Sequence, residues 1–344
     1  MRPEGCQETG RRRTRVLIPR NLQISNHFWH RNRLTLFEPE TYTDRMTDRR
    51  VLLAAFLLAA ATIVWPGRLS AQAIQRALYV SVLNEAGASV PDLGPTDFIV
   101  REDNVAREVL RVEPATESMQ IAILVDNSSA ANEYVSHIRQ ALPAFVATMV
   151  SVTPKNELAI IALGERPTIL AEYATILPAL QKGIDRIWSL RGTGAYLLDG
   201  IIEVCQGLKK REARRPVIIA ITAEGPEFSN RQHDQVLDPL RASGAAFYAL
   251  AIGRPSDSLN DEMRNRNMVL DLGPRLTGGR RDELLTGMAL GGKLQQLGDE
   301  LLHQYRVTYA RPQSLIPPER VTVAAAKSGL TARGTLIKDE RGRP

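Results

Sequence analysis

The sequence predicts an α/β chain, a doubly wound and mostly parallel sheet with a small β-module built from its two flanks. Three observations carry this. Residues 121–125, 216–222 and 246–252 are short apolar runs bounded by polar residues, as in strands buried on both faces. Segments with helical spacing separate them, which is the alternation that gives parallel strands joined by right-handed crossovers. Before and after this region the runs shorten and are punctuated by Gly, Asn and Pro, which signals antiparallel strands.

In order, residues 77–83 read as a strand that turns through 84–87. A second turn, 91–94, precedes a strand-like segment at 97–104 and another at 109–112. The apolar run 121–125 ends on Asp126, followed by Asn127, Ser128, Ser129 and Ala130. The loop after such a strand opens at the carboxyl edge of the sheet, where open α/β folds place their ligand sites. A helix is expected over 132–150, a strand over 156–163 and an antiparallel edge strand over 168–173. Helices follow over 177–187 and 196–210, then the strand 216–222, a helix over 234–242 and the strand 246–252. Residues 253–266 read as a loop rich in Arg, Asn and Asp, leading to 268–272 and to a tight turn at Gly278 and Gly279. Leucines at helical intervals predict a long helix over 281–305. Strands at 305–309 and 320–325 are expected to pair with those between 77 and 112.

The formal charge is +6. Of the charged residues, 12 Arg against 6 Asp or Glu fall in residues 1–73, an excess equal to the whole of that charge, and the rest holds 32 of each sign. A neutral body removes the main argument for a nucleic-acid partner. The basic leader has another reading. Arg49 and Arg50 precede an apolar segment, 51–65, then Pro66, Gly67 and the tripeptide Ala71, Gln72, Ala73, the parts of a secretory signal peptide. The expected division is a leader or mis-assigned start at 1–45 and a signal at 46–73, cleaved after Ala73. A β segment at 74–116, the α/β domain at 117–256, a loop and long helix at 257–306, a second β segment at 307–336 and a tail at 337–344 follow. With Met46 as the start, Cys6 is lost and Cys205 is the one cysteine, read as a buried structural thiol. Export to the periplasm or beyond is the expected localisation, with membrane attachment only if the signal stays uncleaved.

The order of these parts resembles the von Willebrand factor type A (VWA) domains, specifically the bacterial secreted set called VWFA-related. The resemblance is carried by residues 121–129, Asp97 and Phe98 with 101–103, 277–280, and Gln304 with Tyr305, and it spans 77–334. It implies a Rossmann-like sheet and a protein-binding role. It also implies a metal-ion-dependent adhesion site built from D-x-S-x-S, T-x-L-x-D and T-D-G loops, whose hard oxygen donors suit Mg²⁺. Carried over residue by residue, Asp126 and Ser128 take the Asp and first Ser positions, and Ala130 takes the second. With Leu197 and Asp199 aligned, Ala195 stands at the Thr position and Thr193 two residues early; Ala223 replaces the Asp of the third loop. The expected site is therefore degenerate and binds no cofactor. Asp126, Ser128, Ser129, Thr193 and Glu224 are its partner-binding loop residues, and Asp126 and Ser128 the residues that would hold Mg²⁺ if any bound. Asp126 and Ser128 are expected to cap the following helix, and Glu224 to be favoured by nearby helix dipoles.

The function expected is an exported, non-enzymatic module for a protein partner. The alternatives are a divalent-metal-dependent adhesion protein using Asp126 and Ser128, and a membrane-anchored structural protein of the envelope. No catalytic residues are expected: His137, His233 and His303 are scattered, and neither G-x-S-x-G nor H-E-x-x-H occurs. Gly287 to Lys293 matches half of a phosphate-binding loop, but Leu294 replaces its Ser or Thr.

Overall fold

The computed structural model describes residues 74–254, 260–313, 318 and 320–337. The expected leader, Met46 start, signal segment with its cleavage site, Cys6 and the tail beyond 337 lie outside the described residues. The described residues belong to one compact unit, Leu69–Pro344.

Its centre is a sheet of six strands, β5 (Gln120–Val125), β6 (Glu157–Ala162), β7 (Thr168–Ala174), β8 (Pro216–Ala223), β9 (Ala246–Ile252) and β10 (Arg281–Leu284), in the order β10-β9-β8-β5-β6-β7. β5, β6, β8, β9 and β10 run parallel, and β7 closes one edge antiparallel to β6. β8 and β9 are buried along their whole length, which is why their sequences are unbroken apolar runs. Odd-numbered residues of β5 (Ile121, Ile123, Val125) pack beneath α1 (Val135–Val150), α2 (Leu177–Asp185) and α6 (Leu290–Leu302). Even-numbered ones (Ala122, Leu124) pack beneath α3 (Leu197–Lys210), α4 (His233–Ser243) and α5 (Asp261–Thr277). Cys205 of α3 is buried in that second layer, 2% exposed.

Two expectations are corrected here. The segment 253–266 is not a loop throughout, because α5 begins at Asp261, with Asn260 as N-cap accepting the Met263 N–H at 2.9 Å, and carries 268–272 inside it. The long helix expected over 281–305 is a strand, a 3₁₀ turn (Gly287–Ala289) and the shorter α6. The free edge of β9 offers a ladder that outweighs the helical propensity of Arg281–Leu284, and the charges on this edge strand ward off further pairing. Gly278, at φ 79°, ends α5; Gly279 lies so close to the Phe247 carbonyl that no side chain fits there.

The flanks combine as expected. β1 (Ile74–Leu83), β4 (Val109–Pro114), β11 (Tyr305–Arg311) and β13 (Thr331–Leu336) form one antiparallel sheet in the order β13-β1-β11-β4. A second contains β2 (Phe98–Glu102), β3 (Val105–Arg107) and β12 (Val321–Ala325). β13 was not among the expected strands. Leu78, Val80, Phe98, Val100, Val307 and Tyr309 fill the space between them. Arg215, 4% exposed, ties this module to the α/β layers. Its Nη1 donates to the carbonyls of Ala115 (3.3 Å) and Glu117 (3.0 Å), and its Nη2 to Leu301 O and Gln304 Oε1, both at 2.8 Å. The guanidinium also lies 4.9 Å from the centre of the Tyr79 ring.

Candidate functional site

Three loops meet at the carboxyl edge of the sheet: 126–131 after β5, 188–196 before α3, and 222–229 after β8. Backbone bonds zip them together. The Leu190 N–H donates to Asn127 O (2.8 Å), Ser129 N–H to Thr193 O (3.3 Å), Ala195 N–H to Pro226 O (2.9 Å) and Phe228 N–H to Ala195 O (2.7 Å). Asn127, 5% exposed, uses both ends of its amide: Oδ1 accepts from Leu163 and Gly164 N–H at 3.2 and 2.7 Å, and Nδ2 donates to Trp188 O at 2.9 Å. Gly225 packs so closely on Ala130 that a methyl group there would strike it.

Asp126 is buried at the centre. Its Oδ1 accepts from Ser128 N–H at 2.9 Å, and its Oδ2 from Ala223 N–H at 3.0 Å and Thr222 Oγ1 at 3.3 Å. The carboxylate joins the first loop to the third. This corrects the capping expectation: Asp126 closes its own loop, and Ser128 makes no side-chain cap to the 3₁₀ turn Ser129–Ala131. The N-cap of α1 is Tyr134, again without a side-chain bond. Ser128 Oγ is buried with no hydrogen-bond partner. Ser129 Oγ donates to Leu190 O (3.1 Å) and accepts the Thr193 N–H (3.0 Å), while Thr193 Oγ1 donates to the same carbonyl (2.9 Å). These two hydroxyls are brought together, but their bonds run to loop backbone. Glu224 points elsewhere. It meets Arg266 Nη1 at 3.1 Å and Arg281 Nη2 at 3.9 Å, so side-chain cations and not helix dipoles balance its charge.

Two functional candidates were missed in the sequence. Arg266 of α5 is fully buried; its Nη2 donates to Ala223 O (2.7 Å) and Thr222 Oγ1 (3.1 Å), and its Nη1 to Glu224. Glu227, 2% exposed, faces the start of α3, accepting N–H groups of Leu197 (3.4 Å), Leu198 (3.5 Å) and Ser229 (3.1 Å). Burial pushes its carboxyl up from 4.5 to about 7, against the pull of the Ser229 hydrogen bonds and the Arg266 charge. Spacing alone carried a signal for Arg266: Asn260 followed by Asp261 and Glu262 is a helix start.

The donors present do not fit Mg²⁺. The orphaned Ser128 Oγ is the one oxygen that would suit it. Both Asp126 oxygens are already engaged by the chain's own donors, Ala130, Ala195 and Ala223 offer no side-chain oxygen, and a nearby guanidinium supplies positive charge. An ion that demands near-octahedral oxygen geometry finds too few ligands there. Among the described residues no cluster of three or more His, Cys, Asp or Glu is arranged for a metal.

The rim is different in character. Trp188 and Phe228 stand 61% and 50% exposed beside the loop 188–196. Both are held in place, Trp188 with the Arg139 guanidinium 4.2 Å from its ring centre, and Phe228 packed on Gly194 and edge-on to Tyr196. The histidines lie apart: His233 Nδ1 faces Asn265 Oδ1 at 3.1 Å, His303 faces Asp299, and His137 packs under Gly287. In the glycine-rich segment, Lys293 sits in α6 with its Nζ 3.5 Å from Asp282.

No family model matches the chain, and no curated protein does. Solved structures similar to it include a von Willebrand factor type A protein from Catenulispora acidiphila, with TM-score 0.46 and 10% identity over 77% of this chain and 72% of that one. Another is the vWF domain of the type V pili tip protein Mfa5 from Porphyromonas gingivalis, with TM-score 0.42 and 9% identity over 54% of this chain and 96% of that one. The SpRpn10 VWA domain matches with TM-score 0.40 and 14% identity, over 52% and 94%. These are likenesses to VWA domains in fold alone; what the carboxyl edge does follows from this chain's own side chains.

Proposed function

We propose that the chain is an exported, non-enzymatic interaction module that binds a protein partner at the carboxyl edge of its α/β sheet without a bound metal ion. The observation that carries this reading is the pair of aromatic side chains, Trp188 and Phe228, held outward beside loops that are otherwise closed by their own hydrogen bonds. Fixed, exposed aromatic rings lose little conformational freedom when covered, which makes them good anchors for a partner. Asp126, Ser129 and Thr193 support the rim from below. The export half of the proposal rests on the signal-like pattern at residues 46–73. Among the described residues no helix is long and apolar enough to cross a membrane.

The test is affinity capture from envelope extract with the wild-type chain, a Trp188→Ser/Phe228→Ser variant, and Ile169→Ser as a control on the exposed face of β7. A partner captured by the wild type and the control, lost with the double variant and unaffected by EDTA is the expected result. Equal capture by the double variant moves the interface elsewhere, and loss in EDTA restores the metal-dependent alternative. N-terminal sequencing of exported protein addresses the anchor: Ile74 as first residue excludes it.

A further inference from the structure

We propose that the Arg266 guanidinium is the fixed cation of the carboxyl edge, a permanently charged side chain holding the first and third loops in register where a divalent ion would otherwise be needed. This rests on the metal-independent reading above. Burying a guanidinium is costly unless its donors are satisfied and its charge is balanced. Arg266 meets both conditions almost wholly through the third loop. Nη1 reaches Glu224 Oε2 at 3.1 Å and, more weakly, Asn267 Oδ1 at 3.4 Å, while Nη2 reaches Ala223 O at 2.7 Å and Thr222 Oγ1 at 3.1 Å. Thr222 Oγ1 in turn donates to Asp126 Oδ2 at 3.3 Å. The chain of contacts Asp126–Thr222–Arg266–Glu224 therefore links both loops to one positive charge.

Ala223 shows how the exchange works. Its N–H donates to Asp126 and its carbonyl accepts from Arg266, so the backbone of this residue bridges the acid and the cation. An aspartate at this position would add a third carboxylate to Asp126 and Glu224, an excess suited to a divalent ion. With alanine, one monovalent guanidinium suffices, helped by Arg281 at 3.9 Å from Glu224. A guanidinium stays protonated at any physiological pH, and its planar fork fixes direction as well as charge.

The inference predicts that metal binding is blocked by Arg266 as well as by missing ligands. Mg²⁺ binding by calorimetry and Mg²⁺-dependent thermal unfolding are measured on the full chain for the wild type, Ala223→Asp, and Ala223→Asp/Arg266→Gln. The expected result is no response in the first two and a Mg²⁺-dependent rise in stability in the third, with binding tighter by on the order of tenfold or more once the competing charge is removed. Equal Mg²⁺ binding with and without Arg266 overturns the inference, as does a double variant that ignores Mg²⁺. Should the double variant fail to fold alone, refolding in Mg²⁺ becomes the readout, recovery supporting the inference and non-recovery overturning it. Mg²⁺ binding by the wild type that disappears in Asp126→Ala overturns the metal-independent reading itself, a separate failure.

Discussion

Replacing Glu227 with glutamine tests whether the edge is built around a carboxyl that folding keeps from ionising. Its carboxyl is pushed up from 4.5 to about 7, chiefly by burial. A group whose folded pKa lies above its unfolded one contributes stability that is complete below the unfolded value and is lost as pH rises through the folded value. For Glu227 the window runs from 4.5 to about 7. At about 1.4 kcal/mol per pH unit this interval corresponds to roughly 3 kcal/mol, an upper bound because the N–H groups at the start of α3 favour the charged form. Glutamine is neutral throughout and keeps an acceptor oxygen; its amide nitrogen faces an N–H in place of the other oxygen, at a cost of about 1 kcal/mol that does not vary with pH. Urea unfolding of both proteins at pH 5 and pH 8 isolates the effect, because every other titrating group cancels in the comparison. The wild type is expected to lose roughly 2–3 kcal/mol relative to Glu227→Gln between the two pH values. A difference that does not change with pH, or that moves in the wild type's favour as pH rises, refutes the reasoning and means that the helix start and Arg266 outweigh burial.

Two further changes probe the framework. Arg215→Met leaves the carbonyls of Ala115, Glu117 and Leu301 and the Gln304 side chain without their donor. It should cost about 3–5 kcal/mol, with hydrogen exchange rising in β1 and β11 before β5. Gly279→Ala drives a methyl into the Phe247 carbonyl and should destabilise strongly, whereas Gly207→Ala, in α3 with open space around it, should stabilise by about 0.5–1 kcal/mol in thermal unfolding.

These contrasts follow what the sequence does and does not display. β5, β8 and β9 were readable because both of their faces are covered, so burial is written as an unbroken apolar run. β10 was not. Its Arg281, Asp282 and Glu283 form ion pairs with Asp271, Arg280 and Arg281, and only Leu284 is buried, so the strand exists because β9 had an open edge. α5 was obscured in a similar way by charged residues and by Pro274 within it, although its cap was present in the sequence. At the site, loss was easier to read than compensation. Asp126, Ala130 and Ala223 follow strands that any α/β reading brings to one edge, so the missing oxygens could be counted from the sequence. The compensating cation comes from a helix on one face of the sheet, 44 residues beyond Thr222, and no local pattern links the two. A substitution that removes a metal ligand leaves a visible gap in a motif, whereas the side chain that makes the gap tolerable needs only to reach it in space. The alanine at 223 is thus better understood together with Arg266 than with the positions of its own loop. Its carbonyl is where the guanidinium makes its shortest bond to the edge, 2.7 Å, and its N–H is where Asp126 receives the third loop.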